Sequence, residues 1–456
     1  MAFDSINPAT DERMKTVPET TRAAQEAALD RAVTAQVAWA QQPATARAAF
    51  LRRLAESLRA ASADCARIIT MEVGKPVAEA HAEIEKCAWA CEYYAEQGPR
   101  LMEDEPVAIA SPDVRVIFKP LGVILAIMPW NFPFWQVFRF ATAALMAGNA
   151  GLLKHAACVP QCALAIADIF RQAGAPEGLF QVLLIESRTV ADLIADPRIH
   201  AVTLTGSEGA GRAVAAAAGR ALKKSVLELG GSDAFIVLAD ADLDRAATAA
   251  VASRFQNAGQ SCIAAKRLIL VESIAERFVE LFTHKVATLI RMGDPRDPSV
   301  TMGPLARRDL RQTLHEQVGD AIDRGARVRL GGEIPAGPGN FYPPTILDDV
   351  TPAMRAYREE LFGPVATLIR VADTEQALAV ANDNRYGLGA AVWTSDRVAG
   401  MALARRIASG SSFVNAIVKS DPRVPFGGIK ASGYGRELAA YGLREFVNVK
   451  TVWAES

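Results

Sequence analysis

The stretch FQNAGQSCIAAKR, residues 255–267, sets Cys262 among small and polar residues. Such a thiol is either a nucleophile or a small buried apolar residue, and the stretch alone leaves both readings open. Earlier in the chain, VLELGGSDAFIVL places one carboxylate, Glu228, in an apolar run before Gly230 and Gly231. Desolvation there would raise its pKa and suit it to general acid or base work, unless it faces solvent on the alternating side of a strand. PWNFPFWQ holds Asn131 between Pro129 and Pro133. Its amide is then a candidate donor to a developing oxyanion, or a cap for its own turn.

Two further stretches suit a dinucleotide. In AVTLTGSEGAG an apolar strand over 201–205 runs into Gly206 and Ser207 and then a helix. Backbone N–H groups at that helix start fit a pyrophosphate, although the spacing is not GxGxxG and a serine-capped turn explains it equally. GLLKHAACVP puts Lys154 directly after a wholly apolar strand. That edge of a parallel sheet is where an adenosine ribose or phosphate would meet it, the alternative being a solvated lysine. Together these residues supply a thiol nucleophile, a carboxylate base, an oxyanion donor and a dinucleotide site.

The elements that must position them read as α/β. At 456 residues the chain exceeds the size of one hydrophobic core, so two or three packed units are expected. Residues 18–97 carry an alanine-rich helical pattern, broken at MEVGKPVAEA by Gly74 and Pro76. From residue 114 short β-branched runs (VRVIF, GVILAIM, AGLLK, FQVLLI, AVTLTGS, SVLEL, AFIVL) alternate with helical segments, which predicts a doubly wound, dinucleotide-type unit over 114 to about 238. A second alternation follows, with RLILV, ATLIRV, AAVWT and SFVNA as strands. The tail ends in a strand-like run that would seek an exposed edge, in this reading one from another subunit.

Composition narrows the function class. Fifty basic residues against 51 acidic ones leave a net charge of -1, so neither a nucleic-acid nor a membrane partner is expected. The apolar region 121–148 is interrupted by Pro129, Asn131, Pro133 and Arg139 and reads as core, not as a membrane span. MAFDSINPATDERMK lacks a basic segment followed by an apolar one, so no secretory or transit signal is expected. Six cysteines are too few for a disulfide scaffold and fit a reducing cytoplasm. Cys87/Cys91 and Cys158/Cys162 are spaced for one helix face, but no histidine falls at ligand spacing, and no metal is expected.

Seven motifs, PWNFP, LLKHA, TGSEGAG, LELGGSD, FQNAGQSC, EELFGPV and PFGGIKASGYGREL, occur in an order and at spacings that resemble the NAD(P)-dependent aldehyde dehydrogenase superfamily over essentially the whole length. The resemblance implies Cys262 as nucleophile, Asn131 as oxyanion donor beside the backbone N–H of Cys262, and Glu228 as general base. It implies Lys154 at the adenosine ribose, Gly206 and Ser207 at the pyrophosphate, Trp130 beside the cofactor, and Glu360 and Phe362 at the nicotinamide ribose and ring. The implied reaction forms a thiohemiacetal on Cys262, passes hydride to nicotinamide and leaves a thioester. Members that transfer the acyl group to coenzyme A typically lack a base at the position of Glu228, so hydrolysis to a carboxylic acid is expected.

The implied architecture is a doubly wound cofactor domain (1–101 and 121–230), an α/β catalytic domain (231–438) and a small β oligomerisation element (102–120 and 439–456), in a homodimer or homotetramer. Within the family, MEVGKPVAEAHAEIEKCAWACEYYAE, LLKHA, FQNAGQSCIAAKR and SDPRVPFGG look like the bacterial succinate-semialdehyde type. Arg139 stands where semialdehyde enzymes place a carboxylate-binding arginine, which can fork two hydrogen bonds onto a carboxylate, or it is a structural arginine in an apolar helix. Gln256 replaces a second arginine of the larger semialdehyde enzymes. Ser420 and Arg423, in KSDPRVPFGG, are candidates for the substrate mouth. Ala157 stands where strictly NAD-preferring relatives often hold a glutamate, so either NAD or NADP is expected. The competing readings are a broad dehydrogenase for apolar aldehydes and a non-catalytic structural relative.

Overall fold

The computed structural model describes residues 2–109 and 113–455. A six-stranded sheet runs in the order Gly433–Tyr434, Lys224–Glu228, Ala201–Thr205, Val123–Ile127, Ala150–Lys154, Phe180–Val182. All its pairings are parallel except the first, where a strand from near the C-terminus lies antiparallel to Lys224–Glu228. The strands Ala150–Lys154 and Ala201–Thr205 are buried along their full length, as runs covered by helices on both faces should be. Helices Arg22–Ala40, Trp135–Met146, Pro160–Gln172 and Glu208–Arg220 supply that cover.

A seven-stranded sheet follows in the order Arg327–Leu330, Thr345–Asp348, Val365–Val371, Ala265–Val271, Asp233–Val237, Gly389–Trp393, Ser411–Val414, parallel except at Arg327–Leu330. The run AFIVL therefore belongs here and not to the first sheet. The expected unit over 114–238 is corrected at both ends: a buried run such as AFIVL carries no mark of which sheet it joins, and the alternation of VRVIF marks a half-exposed strand without marking its partners. At the other end, Asp113–Pro120 is the centre of a three-stranded sheet, between Glu105–Pro106 and Val447–Ala454. The C-terminal strand thus pairs within its own chain, in unbroken register from Val447 opposite Pro120 to Ala454 opposite Asp113. Residues 110–112, between the other two strands in sequence, lie outside those described.

The helical N-terminal region divides as the breakers predict. Ser62–Val73 ends at Gly74, which is left-handed at φ 80°, and Val77–Leu101 starts directly after Pro76. A Cβ on Gly74 would stand 2.7 Å from Pro304 Cγ, so the turn needs glycine for its φ and for its packing. The hairpin Ala2–Ile6 with Arg13–Pro18 was not expected, since its buried side is only Phe3, Ser5 and Val17 and Ser5 is polar. The fold supplies the Ser5 hydroxyl with an acceptor, Glu72 Oε1, at 2.6 Å. Among the described residues, no helix is long and apolar enough to cross a membrane. Every residue of Trp135–Met146 is buried, including Arg139.

Candidate active site

Helix Leu243–Phe255 delivers the chain into a tight segment whose residues Asn257, Ala258 and Gly259 are all left-handed, at φ 51°, 52° and 72°. Two successive non-glycine residues in that region cost free energy and persist only when their surroundings hold them. Here the Asn257 N–H donates to Glu79 Oε2 at 2.8 Å and the Asn257 amide donates to the carbonyl of Asn131 at 2.7 Å. The fully buried Arg254 donates to the carbonyls of Val365 (2.7 Å) and Leu361 (3.0 Å) and to that of Gly363. Cys262 follows this clamp. Lys266 Nζ donates to the carbonyls of Ser261 and Cys262 at 2.7 and 2.8 Å. Burial pushes the Cys262 thiol up to about 12, with the charges of Lys266 and Arg139 acting the other way.

Asn131 is buried, and its amide donates to the carbonyl of Gln260 at 2.9 Å. The prolines of PWNFP are thus not its only restraint: the segment before Cys262 itself grips this turn. Glu228 ends the strand Lys224–Glu228 and is buried, with neither carboxylate oxygen hydrogen-bonded. Burial, then the charge of Glu437, holds its carboxyl well above the ordinary carboxylate range, opposed by Arg139 and Arg436. A Cβ on Gly427 would lie 2.6 Å from Glu228 Oε1, and one on Gly231 would lie 2.6 Å from the carbonyl oxygen of Cys262. The loop at Gly427 thus closes on Glu228, and the loop that follows Glu228 packs at Gly231 against the backbone of Cys262.

On the cofactor side, Lys154 is buried at its strand end with no carboxylate partner among the described residues, and burial lowers its pKa. Ser207 caps helix Glu208–Arg220 by accepting the Ala210 N–H at 3.4 Å. The Gly206 N–H donates to the carbonyl of Glu228 at 3.0 Å, so this glycine offers a ligand close approach and not a free donor. Glu360 Oε1 accepts the Gly231 N–H at 3.0 Å and lies 3.5 Å from Lys266 Nζ. Trp130 and Phe362 meet edge to face at 5.8 Å. An unpaired buried cation, a capped helix start and two aromatic walls fit a dinucleotide.

A cavity of about 230 Å³ opens beside Cys262, lined also by Trp135, Arg139, Gln256, Ser420 and Lys86. Arg139 is buried in an ion pair with Glu437, donates through Nη2 to Thr205 Oγ1 at 3.2 Å and packs over the Phe426 ring. Arg423 does not line the cavity and pairs instead with Asp421, its guanidinium over Trp89. Sequence reasoning missed Lys86, Glu79, Arg254 and Glu437. The last lies inside PFGGIKASGYGREL, but its partner Arg139 is far away in sequence, and one acid among charged neighbours carries no signal of burial. Cys87, Cys91 and Cys162 are buried, with thiols raised first by desolvation, and the described residues hold no cluster of three metal-ligating side chains.

The chain belongs to the aldehyde dehydrogenase family, whose model matches residues 1–452. It is 50% identical over 453 residues to a probable succinate-semialdehyde dehydrogenase, NADP(+), of Synechocystis, covering 99% of this chain and 100% of that one. It is 50% identical over 451 residues to a succinate semialdehyde dehydrogenase, NAD(P)+, of Escherichia coli K12, covering 99% and 97% of the two chains. The crystal structure of succinic semialdehyde dehydrogenase from Streptococcus pyogenes with NADP+ matches it at a TM-score of 0.97 and 38% identity, over 100% of both chains.

Proposed function

We propose that this chain oxidises succinate semialdehyde, or a similar short semialdehyde, to the carboxylic acid with NAD or NADP. The observation that carries this reading is one cavity lined by a thiol and by cationic and hydroxyl side chains. The relatives at 50% identity support the same substrate. Lys154, Ser207, Glu360, Trp130 and Phe362 would hold the dinucleotide, with Gly206 leaving room at the pyrophosphate. When bound, the nicotinamide supplies a two-electron acceptor for the aldehyde hydrogen, which leaves carbon as hydride.

The chain's own residues do the rest. Cys262 gives its proton to solvent and the thiolate adds to the aldehyde carbon, forming a C–S bond as the C=O π pair moves onto oxygen; the thiohemiacetal oxyanion is met by the Asn131 amide and the Cys262 N–H. Loss of hydride leaves an acyl thioester on Cys262. Glu228 takes a proton from water, the resulting hydroxide adds to the thioester carbon, and the C–S bond breaks to release acid and thiolate. Arg139, Gln256 and Ser420 line the substrate end. We assign residues 1–101 and 121–230 to the cofactor, 231–438 to catalysis and 102–120 with 439–456 to subunit contact, in a cytoplasmic homodimer or homotetramer.

A second reading, a dehydrogenase of apolar aldehydes, is favoured by one observation: Glu437 already engages Arg139, which lessens its pull on a substrate carboxylate. Comparing kcat/KM for succinate semialdehyde with butanal, which has the same carbon count and no carboxylate, separates the two. A preference of roughly 2 kcal/mol or more for the semialdehyde is expected, and equal values would leave the apolar reading.

A further inference from the structure

The charged side chains of the cavity do not contribute equally. Glu83 is paired with Lys75 and accepts the backbone N–H groups of Phe134 and Trp135 at 2.9 and 3.0 Å. Arg139 is paired with Glu437. Burial raises the Glu79 carboxyl to about 7. That leaves Lys86 and Lys419 as cations with no carboxylate within ion-pair distance among the described residues, and Lys419 is exposed to water. Lys86 is partly buried, its ammonium 4.3 Å from the centroid of the Trp135 ring.

The second observation is the hydroxyl beside it. Ser420 Oγ accepts from Lys86 Nζ at 2.8 Å and from Trp135 Nε1 at 3.1 Å. A serine oxygen has two lone pairs and one proton. With both lone pairs engaged, the Ser420 proton can only be donated, and among the described residues it has no acceptor. Two of the three Lys86 protons are likewise unspent. A partly buried ammonium and a hydroxyl oriented as a donor, 334 residues apart in sequence, converge in the cavity that contains Cys262.

We propose that Lys86, acting with the Ser420 hydroxyl it orients, binds the remote carboxylate of the substrate and supplies the net positive charge that the Arg139–Glu437 pair does not. This rests on the semialdehyde reading. The groups facing Lys86 are Glu83 and Cys87 on its own helix, Arg139 on helix Trp135–Met146 and Asp421 after Ser420. Their sum, after burial, lowers Lys86 to about 8, so it is charged at neutral pH and loses its charge in mild alkali.

The test is the ratio of kcat/KM for succinate semialdehyde to that for butanal, in wild type, Lys86→Met and Lys86→Arg, at about pH 7 and about pH 9. Wild type should prefer the semialdehyde near pH 7 and lose most of that preference near pH 9. Lys86→Met should lower the ratio about tenfold near pH 7, through KM more than kcat. Lys86→Arg should restore much of it and keep it at the higher pH. A ratio unchanged in Lys86→Met, or a wild-type ratio flat across this range, overturns the assignment of Lys86 and leaves the semialdehyde reading standing. A wild-type ratio of one near pH 7 overturns that reading and this assignment with it.

Discussion

In the proposed mechanism Cys262 and Glu228 both act in their deprotonated forms, and burial works against both. The sign is therefore fixed: raising pH through the elevated pKa of Glu228 converts more of it to carboxylate, so thioester hydrolysis accelerates with pH. A deacylation rate followed from mildly acid to mildly alkaline pH should rise, and in Glu228→Gln it should be slow and flat. Arg139 belongs to the same electrostatic group. Replacing it with leucine would leave Glu437 buried without its counter-charge beside Glu228, a kind of loss that costs about 3 to 5 kcal/mol. Urea denaturation of Arg139→Leu should show a loss of that order, and Arg139→Leu with Glu437→Leu should recover most of it. Because this substitution also disturbs the base, it is a poor reporter of carboxylate recognition, and Lys86 is the better place to look.

At the scale of elements, the site depends on close approaches between loops from different sheets. Gly427, at φ 152°, leaves the space that Glu228 Oε1 occupies. Gly427→Ala should push the base aside, and misplacement by about 1 Å can cost up to about a hundredfold in rate. Stopped-flow should then show the NAD(P)H burst retained and steady-state turnover lowered, whereas full turnover would contradict this role for the glycine. Glu228 stood out in the sequence as a lone acid in an apolar run, whereas Cys262 and Asn131 were ambiguous alone and became legible only through the order and spacing of the seven motifs. The left-handed Asn257 and Ala258 were not, since neither residue announces such a backbone and only the clamp from Glu79, Asn131 and Arg254 holds them there. Lys86 was invisible for another reason: on the helix Val77–Leu101 it is one charge among many, and its partner Ser420 is brought to it only by the fold.

At the scale of the molecule, alternating strands and helices were readable, but which sheet each strand joins was not: Asp233–Val237 is buried like the strands of either sheet, and the alternation in Asp113–Pro120 marks a strand with one exposed face without marking its partners. The C-terminal strand occupies an outer position in its sheet and exposes Val449, Val452 and Trp453. An apolar edge of this kind favours a second subunit. The proposed homodimer or homotetramer would then use this edge: light scattering should find an oligomer in wild type and a shift towards monomer in Val449→Glu with Trp453→Glu, and a monomeric wild type or an unchanged mass would contradict that placement. The arrangement of the two large sheets makes the most basic claim. One carries Glu228 and the other presents Cys262, so acyl transfer to the thiol and hydrolysis of the thioester are separable. The direct test is to mix Glu228→Gln protein with NADP and succinate semialdehyde and examine the peptide containing Cys262 by mass spectrometry. This account predicts a succinyl thioester on Cys262 formed with one equivalent of NADPH. NADPH release without any adduct, or continued fast turnover, would contradict it.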